Sequence, residues 1–237
     1  FDICKILKAK RPACFLLENV KNLKSHNKGD TYKSILEALD AAGYDVPKPQ
    51  VINAKHWLPQ NRERIVMVGF RKDLAIGKDF DMNKVKPTKK QIVDTLGALL
   101  DKKVDEKYTL TDNLWAYLQS YKAKHRGNGN GFGYDLFTPV SKYTRTLSAR
   151  YYKDGSEILV AKSKRNANQC ENGESKPRRL TPKECARLMG FDKPENSRFK
   201  IPVSDTRAYK QFGNSVVVPV FESVARKMKL HILEAVE

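Results

Sequence analysis

The chain has 237 residues, which is enough for one large domain or two small ones. It holds 45 basic and 27 acidic residues, and the net charge of +18 favours a polyanionic partner, with nucleic acid as the first candidate. A membrane surface is disfavoured because the sequence has no long apolar run, and the four cysteines lack the spacing of a metal site, which favours the reduced thiols of a cytoplasmic protein.

The first predicted element is a helix over residues 1–11, FDICKILKAKR, with Ile3, Ile6 and Leu7 on one face and Pro12 after its end. A natural amino terminus rarely lies inside an amphipathic helix without a capping residue. We therefore expect this chain to be part of a longer protein.

A short apolar run, CFLLEN at 14–19, follows and ends in Glu18 and Asn19. Such a run is typical of a strand buried in a parallel sheet, and the ligands of open α/β sheets bind at the carboxyl ends of these strands. Taken alone, Glu18 is more often a strand cap than a catalytic group. Its role therefore depends on the residues found with it.

A second helix is predicted over 31–44, with Asp30 as its N-cap and Gly43 as its stop. Its apolar stripe consists of Ile35, Leu36 and Leu39. Residues 65–70 form a second buried strand, after the polar motif QNRER. The alternation of helices and strands predicts an α/β fold.

The composition changes after residue 72. The stretch to about residue 107 is rich in lysine and includes a helix predicted near 91–100, and another helix is predicted over 108–125. The apolar face predicted for this second helix carries Leu114, Tyr117, Leu118 and Tyr121. RGNGNGFGYDLF then forms a loop, which we predict to be flexible or closely approached because its glycine spacing is not that of a phosphate-binding fingerprint.

Residues 144–160, TRTLSARYYKDGSEILV, alternate enough to predict a hairpin with a turn at Asp154 and Gly155. The segment 141–179 carries 10 Lys and Arg against 4 Asp and Glu, with tyrosines between them. A solvated surface explains many such runs, but the charge of the whole chain favours a surface that faces phosphates.

The clearest predicted helix lies within RRLTPKECARLMGF at 178–191. Thr181 is its N-cap, Pro182 occupies the first helical position, Glu184 completes a capping box and Gly190 ends the helix.

The last stretch begins with a polar turn at residues 213–215, which is predicted to open a long helix. Asn214 and Ser215 would then lie where free N–H groups favour a carboxylate or phosphate. The apolar positions of the helix are Val220, Val224, Met228 and Ile232.

Five motifs stand in order along the chain, and each is weak alone. They are ENV at 18–20, QNRER at 60–64, TL at 146–147, RRLTPKECARLMGF at 178–191 and GNSVVVPV at 213–220. Together they resemble the later motifs of the bacterial DNA cytosine-5 methyltransferases. NGNGFGY, TRTLSARYYKDG and IPVSDTRAYKQFGNSVVVPVF resemble the Dcm-like branch, and the resemblance covers nearly the whole chain.

The resemblance also has a gap. That family carries a cofactor loop, an FxGxG-like strand–turn, and a nucleophilic Pro-Cys loop upstream of the ENV strand. Neither occurs in this sequence, in which Cys14 follows Ala13. The resemblance therefore implies the carboxyl-terminal portion of such an enzyme, which we expect to be inactive alone.

The resemblance implies an α/β fold in which an incomplete Rossmann-like methyltransferase sheet is joined to a smaller basic target-recognition domain. Residues 1–72 would belong to the catalytic domain, 73–205 would form the target-recognition domain, and 206–237 would be a helix returning to the catalytic domain. S-adenosyl-L-methionine is the implied cofactor, double-stranded DNA is the implied partner, and no metal is implied.

Roles for individual residues follow from the same resemblance. Glu18 would bind N3 and the exocyclic amine of a cytosine flipped out of DNA, Arg64 would hold its O2, and Arg62 would orient the nucleophile loop or a phosphate. Asn214 and Ser215 would contact the amino acid end of the cofactor or the catalytic loop.

The predicted DNA contacts are Asn19, Gln60, Arg145, Thr146 and Arg150, and the NGNGFGY loop at 128–134 is a further candidate for contacts to bases or phosphates. Thr146 would contact the backbone near the extruded base. Arginine contacts to guanine suit a site containing G·C pairs, and the resemblance to the Dcm-like branch implies a site similar to CCWGG or CCNGG.

Three hypotheses remain open. The first is part of a DNA cytosine-5 methyltransferase of the bacterial cytoplasm and nucleoid, from a restriction-modification system. The second is a non-catalytic recognition subunit whose partner, the missing amino-terminal half, is a separate chain. The third is the same chemistry on tRNA, which the large basic lobe disfavours.

Overall fold

The computed structural model describes residues 2–161, 170 and 175–234, and these form two compact units. Unit 1 comprises 1–53, 63–87 and 220–237, and unit 2 comprises 54–62 and 88–219. The boundaries predicted above, at 72 and 205, divide the chain by function and not by internal contacts, and they stay a prediction. Part of its middle segment, 162–169 and 171–174, lies outside the described residues.

The described α-helices are α1 Asp2–Lys10, α2 Asp30–Asp40, α3 Asp112–Gly127, α4 Pro182–Leu188, α5 Asp205–Asn214 and α6 Val218–Glu234. The described strands are β1 Cys14–Val20, β2 Tyr44–Asp45, β3 Gln50–Asn53, β4 Glu63–Arg71, β5 Leu136–Phe137, β6 Leu159–Val160 and β7 Arg178–Arg179. Across the parts of the chain that the structure describes, no helix is both long and apolar enough to cross a lipid bilayer.

The sheet of unit 1 is built around β4. β1 pairs with one edge of β4, β2 and β3 pair with the other edge, and all three pairings are antiparallel. Residues 65–70 of β4 are all buried, as predicted. The prediction that β1 is a buried strand in a parallel sheet is wrong: its described partner runs in the opposite direction, and only Phe15 of β1 is fully buried.

The helices of unit 1 correct two details. Only Leu7 of the predicted α1 face is buried, while Ile3 and Ile6 are exposed. Asp30 is the first residue of α2 rather than its N-cap, which is Gly29 with φ +98°. The Asp30 carboxylate still lies at the positive end of the helix dipole, where a negative charge is favourable. One cluster of buried apolar residues in this unit joins Leu7, Phe15, Leu39 and Tyr44.

Unit 2 departs further from the predictions. Residues 144–160 form turns rather than a hairpin, because β6 at their end pairs in parallel with β5 and antiparallel with β7. The helix predicted near 91–100 is replaced by two short 3₁₀ helices, Lys89–Gln91 and Leu96–Leu99. Pairing partners distant in the sequence override local preference in these segments.

The α4 prediction is confirmed. The Thr181 side chain accepts from the Glu184 N–H at 3.1 Å, and the Glu184 carboxylate accepts from the Thr181 N–H at 2.8 Å. Pro182 opens the helix, and Gly190 follows it with φ +80°. Side-chain hydrogen bonds between near neighbours determine this helix, so the sequence alone is sufficient to predict it.

Candidate active site

Glu18 and Arg64 lie side by side on neighbouring strands of unit 1. In the β1–β4 register Glu18 is opposite Val66 and Val20 is opposite Arg64, so Glu18 and Arg64 point to the same face of the sheet. The Arg64 Nε is 2.9 Å from the Glu18 Oε1, which makes an ion pair. Two residues that are far apart in the chain therefore form one polar site.

The Glu18–Arg64 pair is partly accessible, with 24% of the Glu18 side chain and 18% of the Arg64 side chain exposed. The Arg64 Nη1 also donates to the carbonyl oxygen of Glu63 at 2.8 Å, and the Glu63 carboxylate forms an ion pair with Lys21. A carboxyl and a guanidinium held together in this way offer acceptors and donors to a planar polar ring.

Asn19 follows Glu18 on β1 and is exposed. Its Oδ1 accepts from the Val20 N–H at 2.8 Å, which fixes the carboxamide at the end of the strand. The exposed position is compatible with the predicted DNA contact, which stays a prediction.

Arg62 is 3% exposed and belongs to unit 2. Its Nη1 donates to the carbonyl oxygen of Leu147 at 2.8 Å, and its Nη2 donates to the carbonyl oxygens of Gly213 and Ser215 at 3.1 and 2.8 Å. These bonds join the QNRER, TL and GNS segments. The geometry favours a positioning role inside the unit over a phosphate contact, and the predicted catalytic role stays a prediction.

Gln60 is completely buried. Its Nε2 donates to the carbonyl oxygen of Leu188 at 3.1 Å, and its Oε1 accepts from the Leu147 N–H at 2.9 Å. A side chain with no exposed surface has no route to DNA, so this placement does not support the predicted DNA contact of Gln60. Its carboxamide instead connects the QNRER segment to the TL motif and to the end of α4.

The other predicted DNA contacts of unit 2 lie near the surface. Arg145 is half-exposed and forms an ion pair with Asp135, and Arg150 is exposed. The Thr146 hydroxyl donates to the carbonyl oxygen of Asn61 at 2.6 Å. The two arginines are therefore accessible to a ligand, and their DNA contacts stay predictions.

Asn214 and Ser215 do not open a helix. Asn214 is the last residue of α5, Ser215 is its C-cap, and α6 begins at Val218. The carbonyl end of a helix carries the negative end of the dipole, so the argument for an anion site at these residues fails. The Ser215 hydroxyl donates to the carbonyl oxygen of Phe212 at 2.7 Å, whereas the Asn214 side chain is exposed.

A close backbone contact explains why the GNS motif contains a glycine at residue 213. A Cβ at this position would lie 2.2 Å from the backbone carbonyl carbon and oxygen of Ser148 and 2.3 Å from the backbone nitrogen of Ala149. The helix end and the segment after the TL motif can approach this closely only without a side chain.

Two thiols of the chain are poorly suited to nucleophilic attack. Burial raises the pKa of Cys14, and burial together with the nearby carboxylates of Glu184 and Glu157 raises the pKa of Cys185 well above its ordinary value. A thiol must be ionised to attack, so these two have little nucleophilic character at neutral pH.

Comparison with known families identifies the chain as a whole. Residues 1–230 match the family described as C-5 cytosine-specific DNA methylase. The chain belongs to this methylase family. The match includes both segments that supply the Glu18–Arg64 pair.

The methylase-family chain is also similar to individual bacterial proteins. It is 51% identical to the DNA-cytosine methyltransferase of Escherichia coli strain K12, over 100% of this chain and 53% of that protein. It is 51% identical to the type II methyltransferase M1.ScrFI of Lactococcus lactis subsp. cremoris, over 99% of this chain and 56% of that protein. The methylase-family chain thus spans about half the length of these curated relatives. The similarity agrees with the Dcm-like branch.

Solved structures support the fold of the methylase-family chain. A mutant of Spodoptera frugiperda DNMT2 superposes with a TM-score of 0.69 at 19% identity, covering 95% of this chain and 69% of that one. Schizosaccharomyces pombe Dnmt2 superposes with a TM-score of 0.65 at 19% identity, covering 94% of this chain and 67% of that one. The predicted α/β methyltransferase fold is therefore confirmed.

One group of residues was not predicted as a functional site in the methylase-family chain. Tyr117 and Tyr121 were assigned to the apolar face of α3 together with Leu118, which is buried as predicted. Both tyrosines are exposed, and Trp115 is buried in their place. Leu118 can be buried together with either Trp115 or the two tyrosines, so the apolar pattern of the sequence does not distinguish these two orientations of the helix.

Proposed function

We propose that this chain supplies the base-binding and DNA-recognition part of an enzyme that transfers a methyl group from S-adenosyl-L-methionine to C5 of a cytosine in duplex DNA. The observation that carries the proposal is the 2.9 Å contact between Glu18 and Arg64 on one face of the sheet. Membership of the methylase family supports the reaction class. The net charge of +18 supports DNA as the partner.

The Glu18–Arg64 pair is suited to one edge of cytosine. The ring presents O2 as an acceptor, N3 beside it and an amino group beyond N3. The Arg64 guanidinium donates to O2. Glu18, in its protonated form, gives its proton to N3 and accepts from the amino group with its other oxygen. Holding the proton at N3 withdraws electrons from C6 and makes that carbon easier for a nucleophile to attack.

The attacking thiolate comes from outside these residues in our proposal. None of the four cysteines follows a proline, as the nucleophile of the family does, and Cys14 and Cys185 both have raised pKa values. The half of the relatives' length that this chain does not cover is the source we propose for the thiol. The chain alone is then inactive in methyl transfer.

Asn214 is the residue we propose to hold the cofactor. Its exposed carboxamide carries both donors and acceptors, which match the amino and carboxylate groups at the amino acid end of S-adenosyl-L-methionine. The cofactor would supply the methyl group. Ser215 lies next to it, but its hydroxyl donates to the carbonyl oxygen of Phe212, so Asn214 is the stronger candidate of the two.

Access to a paired cytosine requires the base to leave the helix, because C5 and C6 are stacked inside duplex DNA. Unit 2, with the accessible Arg145 and Arg150, is our candidate for the surface that holds the surrounding sequence. A site similar to CCWGG, a role in a restriction-modification system and a place in the bacterial cytoplasm are the finer parts of the proposal. The bacterial type II methyltransferases among the relatives support the restriction-modification role and the bacterial setting. The recognition site rests on the resemblance of the sequence to the Dcm-like branch.

A region swap tests this function. The part of the E. coli relative that matches this chain is replaced by the chain, and the swapped enzyme is expressed in a host without its own cytosine methyltransferase. Bisulfite sequencing then reads 5-methylcytosine and the sequence around it. Methylated sites are expected with the swapped enzyme, and none are expected with Glu18→Gln.

Glu37→Gln is the matched control, because Glu37 is an exposed glutamate of the same unit whose ion pair with Lys33 is long, at 3.9 Å. It should leave methylation unchanged. A swapped enzyme that is soluble and folded but leaves DNA unmethylated, beside an active unswapped relative, contradicts the proposal. Methylation by the chain alone would contradict the external source of the thiol.

A further inference from the structure

Helix α3 carries a row of aromatic side chains that the core does not use. Tyr117, Tyr121 and His125 recur every four residues and so share one strip of the helix. Their ring centroids are 6.0 Å and 4.2 Å apart along the row. Tyr117 is 58% exposed and Tyr121 is 37% exposed, whereas Trp115 and Leu118 of the same helix are buried.

The glycine-rich loop after α3 extends this row. The Phe132 ring lies 5.5 Å from the ring of His125 in an edge-on arrangement and is 65% exposed. His125 Nδ1 is 2.8 Å from the Asn130 Oδ1, and the Asn130 N–H donates to the carbonyl oxygen of His125 at 3.1 Å. These bonds fold the loop back onto α3. The loop therefore presents Phe132 at a defined place next to the helix.

Gly133 shows how closely the loop approaches the helix. It has φ +141°, and a Cβ at this position would lie 2.9 Å from the Cβ of Lys122. The Lys122 ammonium lies 4.1 Å from the centre of the Tyr134 ring, which anchors the next residue of the loop. The side chains of Asn130 and Tyr134 thus hold the loop against α3, through His125 and Lys122.

The aromatic row forms one wall of a cleft of about 410 Å³ in unit 2. Tyr117, Tyr121 and Phe132 line this wall, and the cations Arg145, Arg150 and Lys153 also line the cleft. Arg150 and Lys153 are exposed. Aromatic faces and cations in one cleft are the combination that binds bases and phosphates together.

The carboxylates in this cleft are occupied by local partners. Glu157 accepts from the Ser148 hydroxyl at 2.6 Å, and Asp154 accepts from the Ser156 N–H at 2.9 Å. These hydrogen bonds hold the two carboxylates in place but leave their charge, whereas Arg150 and Lys153 are exposed. The lining carries three cations, Arg145, Arg150 and Lys153, against these two carboxylates, so the balance of charge favours an anionic ligand over a cationic one.

We propose that this aromatic row binds a DNA base that is not stacked in a duplex, with Phe132 and Tyr117 against the base face and Arg150 and Lys153 on its phosphates. The proposal rests on the proposed function only in taking DNA as the ligand. A paired duplex hides the faces of its bases, so exposed rings gain stacking energy only from a base that has been unstacked. The row belongs to unit 2, and the Glu18–Arg64 pair belongs to unit 1.

The test measures binding of the full chain to a short DNA single strand containing 2-aminopurine, and to the same sequence as a perfect duplex, at low salt. Anisotropy reports affinity, and 2-aminopurine fluorescence reports stacking of that base. The double variant Tyr117→Leu/Phe132→Leu should bind the single strand at least about fivefold more weakly and lose the fluorescence change. Its affinity for the duplex should stay within about twofold.

Tyr143→Leu is the matched control, because Tyr143 is 53% exposed in the same unit but lies outside the row. It should leave both signals unchanged. Phe132→Leu alone repeats the test if the double variant melts early, since this exposed loop side chain adds little to the core.

Equal losses on single strand and duplex, or no loss on either, would overturn the proposal, as would a wild-type chain that does not bind the single strand. A wild-type chain that binds the single strand but not the duplex would count against duplex DNA as the substrate, and would leave the stacking row standing.

Discussion

The guanidinium of Arg62 donates to the carbonyl oxygen of Leu147 at 2.8 Å, although the two residues are 85 positions apart. The same side chain reaches the carbonyl oxygens of Gly213 and Ser215. Three motifs that appear in the sequence as separate functional signals are thus joined by one buried cation. Some residues of these motifs therefore serve to hold unit 2 together and do not themselves contact a ligand.

Arg62→Ala is expected to destabilise the chain by about 3 kcal/mol, since it removes three hydrogen bonds from a charged donor and leaves buried carbonyl groups without their partner. Urea unfolding followed by circular dichroism measures the change. Arg198→Ala, at an exposed arginine of the same unit, should change stability by less than about 0.5 kcal/mol. An Arg62→Ala chain as stable as the wild type would contradict the structural role of Arg62 and favour a direct role in ligand binding.

Arg64→Ala should act on recognition. We expect roughly tenfold weaker binding to a duplex in which the target cytosine is already unpaired, because one charged hydrogen bond to the base is lost. Affinity for unrelated duplex DNA should stay within about twofold. A gel-shift series at fixed salt, using the site that bisulfite sequencing identifies, compares the two. Equal loss on both DNAs would contradict a base-specific role for Arg64.

Glu184→Gln should be strongly destabilising despite its small change in shape. The wild-type carboxylate is fully buried, forms two 2.8 Å bonds with Arg178 and accepts from the Asp101 N–H at 2.8 Å. Neutralising it leaves the largely buried Arg178 cation without its partner, at a cost of about 3 kcal/mol. The exposed Glu195→Gln is the control in the same urea experiment, and equal midpoints for the two variants would refute the prediction.

Asp192 should make stability depend on acid pH. Burial of its carboxyl acts to raise the pKa, but hydrogen bonds from the Ser197 hydroxyl at 2.7 Å and the Phe199 N–H, together with the charge of Lys183, lower it overall. Because the pKa is lower in the folded state, the ionised carboxyl stabilises the fold at pH values above its ordinary pKa near 4. That stabilisation is lost as the pH falls through the folded pKa.

The measurement for Asp192 is the free energy of unfolding of the wild type and of Asp192→Asn between pH 7 and pH 2.5. The difference should be largest at pH 7 and shrink below pH 4. A difference that does not change with pH would mean that the ionised carboxylate adds nothing beyond its hydrogen bonds.

Gly213→Ala should destabilise the chain by at least about 2 kcal/mol, because the new Cβ meets the backbone of Ser148 at 2.2 Å and backbone cannot move aside as a side chain can. Gly127→Ala is the matched control at the end of α3, where a Cβ meets nothing within 4 Å. It should be neutral or stabilising by up to about 1 kcal/mol. Thermal melts of the two variants distinguish these outcomes.

The candidate site was predictable in part. The family resemblance assigned Glu18 and Arg64 to one base, and the register of β1 and β4 brings the two side chains into contact. Gln60 looked equally available, yet it is completely buried. Burial depends on which distant segments cover a side chain, and the QNRER motif alone does not show which segments cover Gln60.

Local chemistry determined several features from the sequence alone. The capping box of α4, the stop at Gly190 and the buried strand around residue 65 each arise from neighbours in the chain, so the sequence was sufficient to predict them. The order of the motifs was likewise enough to indicate the family. These features need no knowledge of distant segments.

Tertiary structure alone decided the rest. It made β1 antiparallel to its described partner, gave β6 a parallel partner in place of a hairpin, and turned Tyr117 and Tyr121 outward while Trp115 became buried. In each case the competing local conformations differ by less free energy than the burial of one large side chain or the pairing of one strand supplies. Contacts between distant residues therefore determined which conformation was adopted.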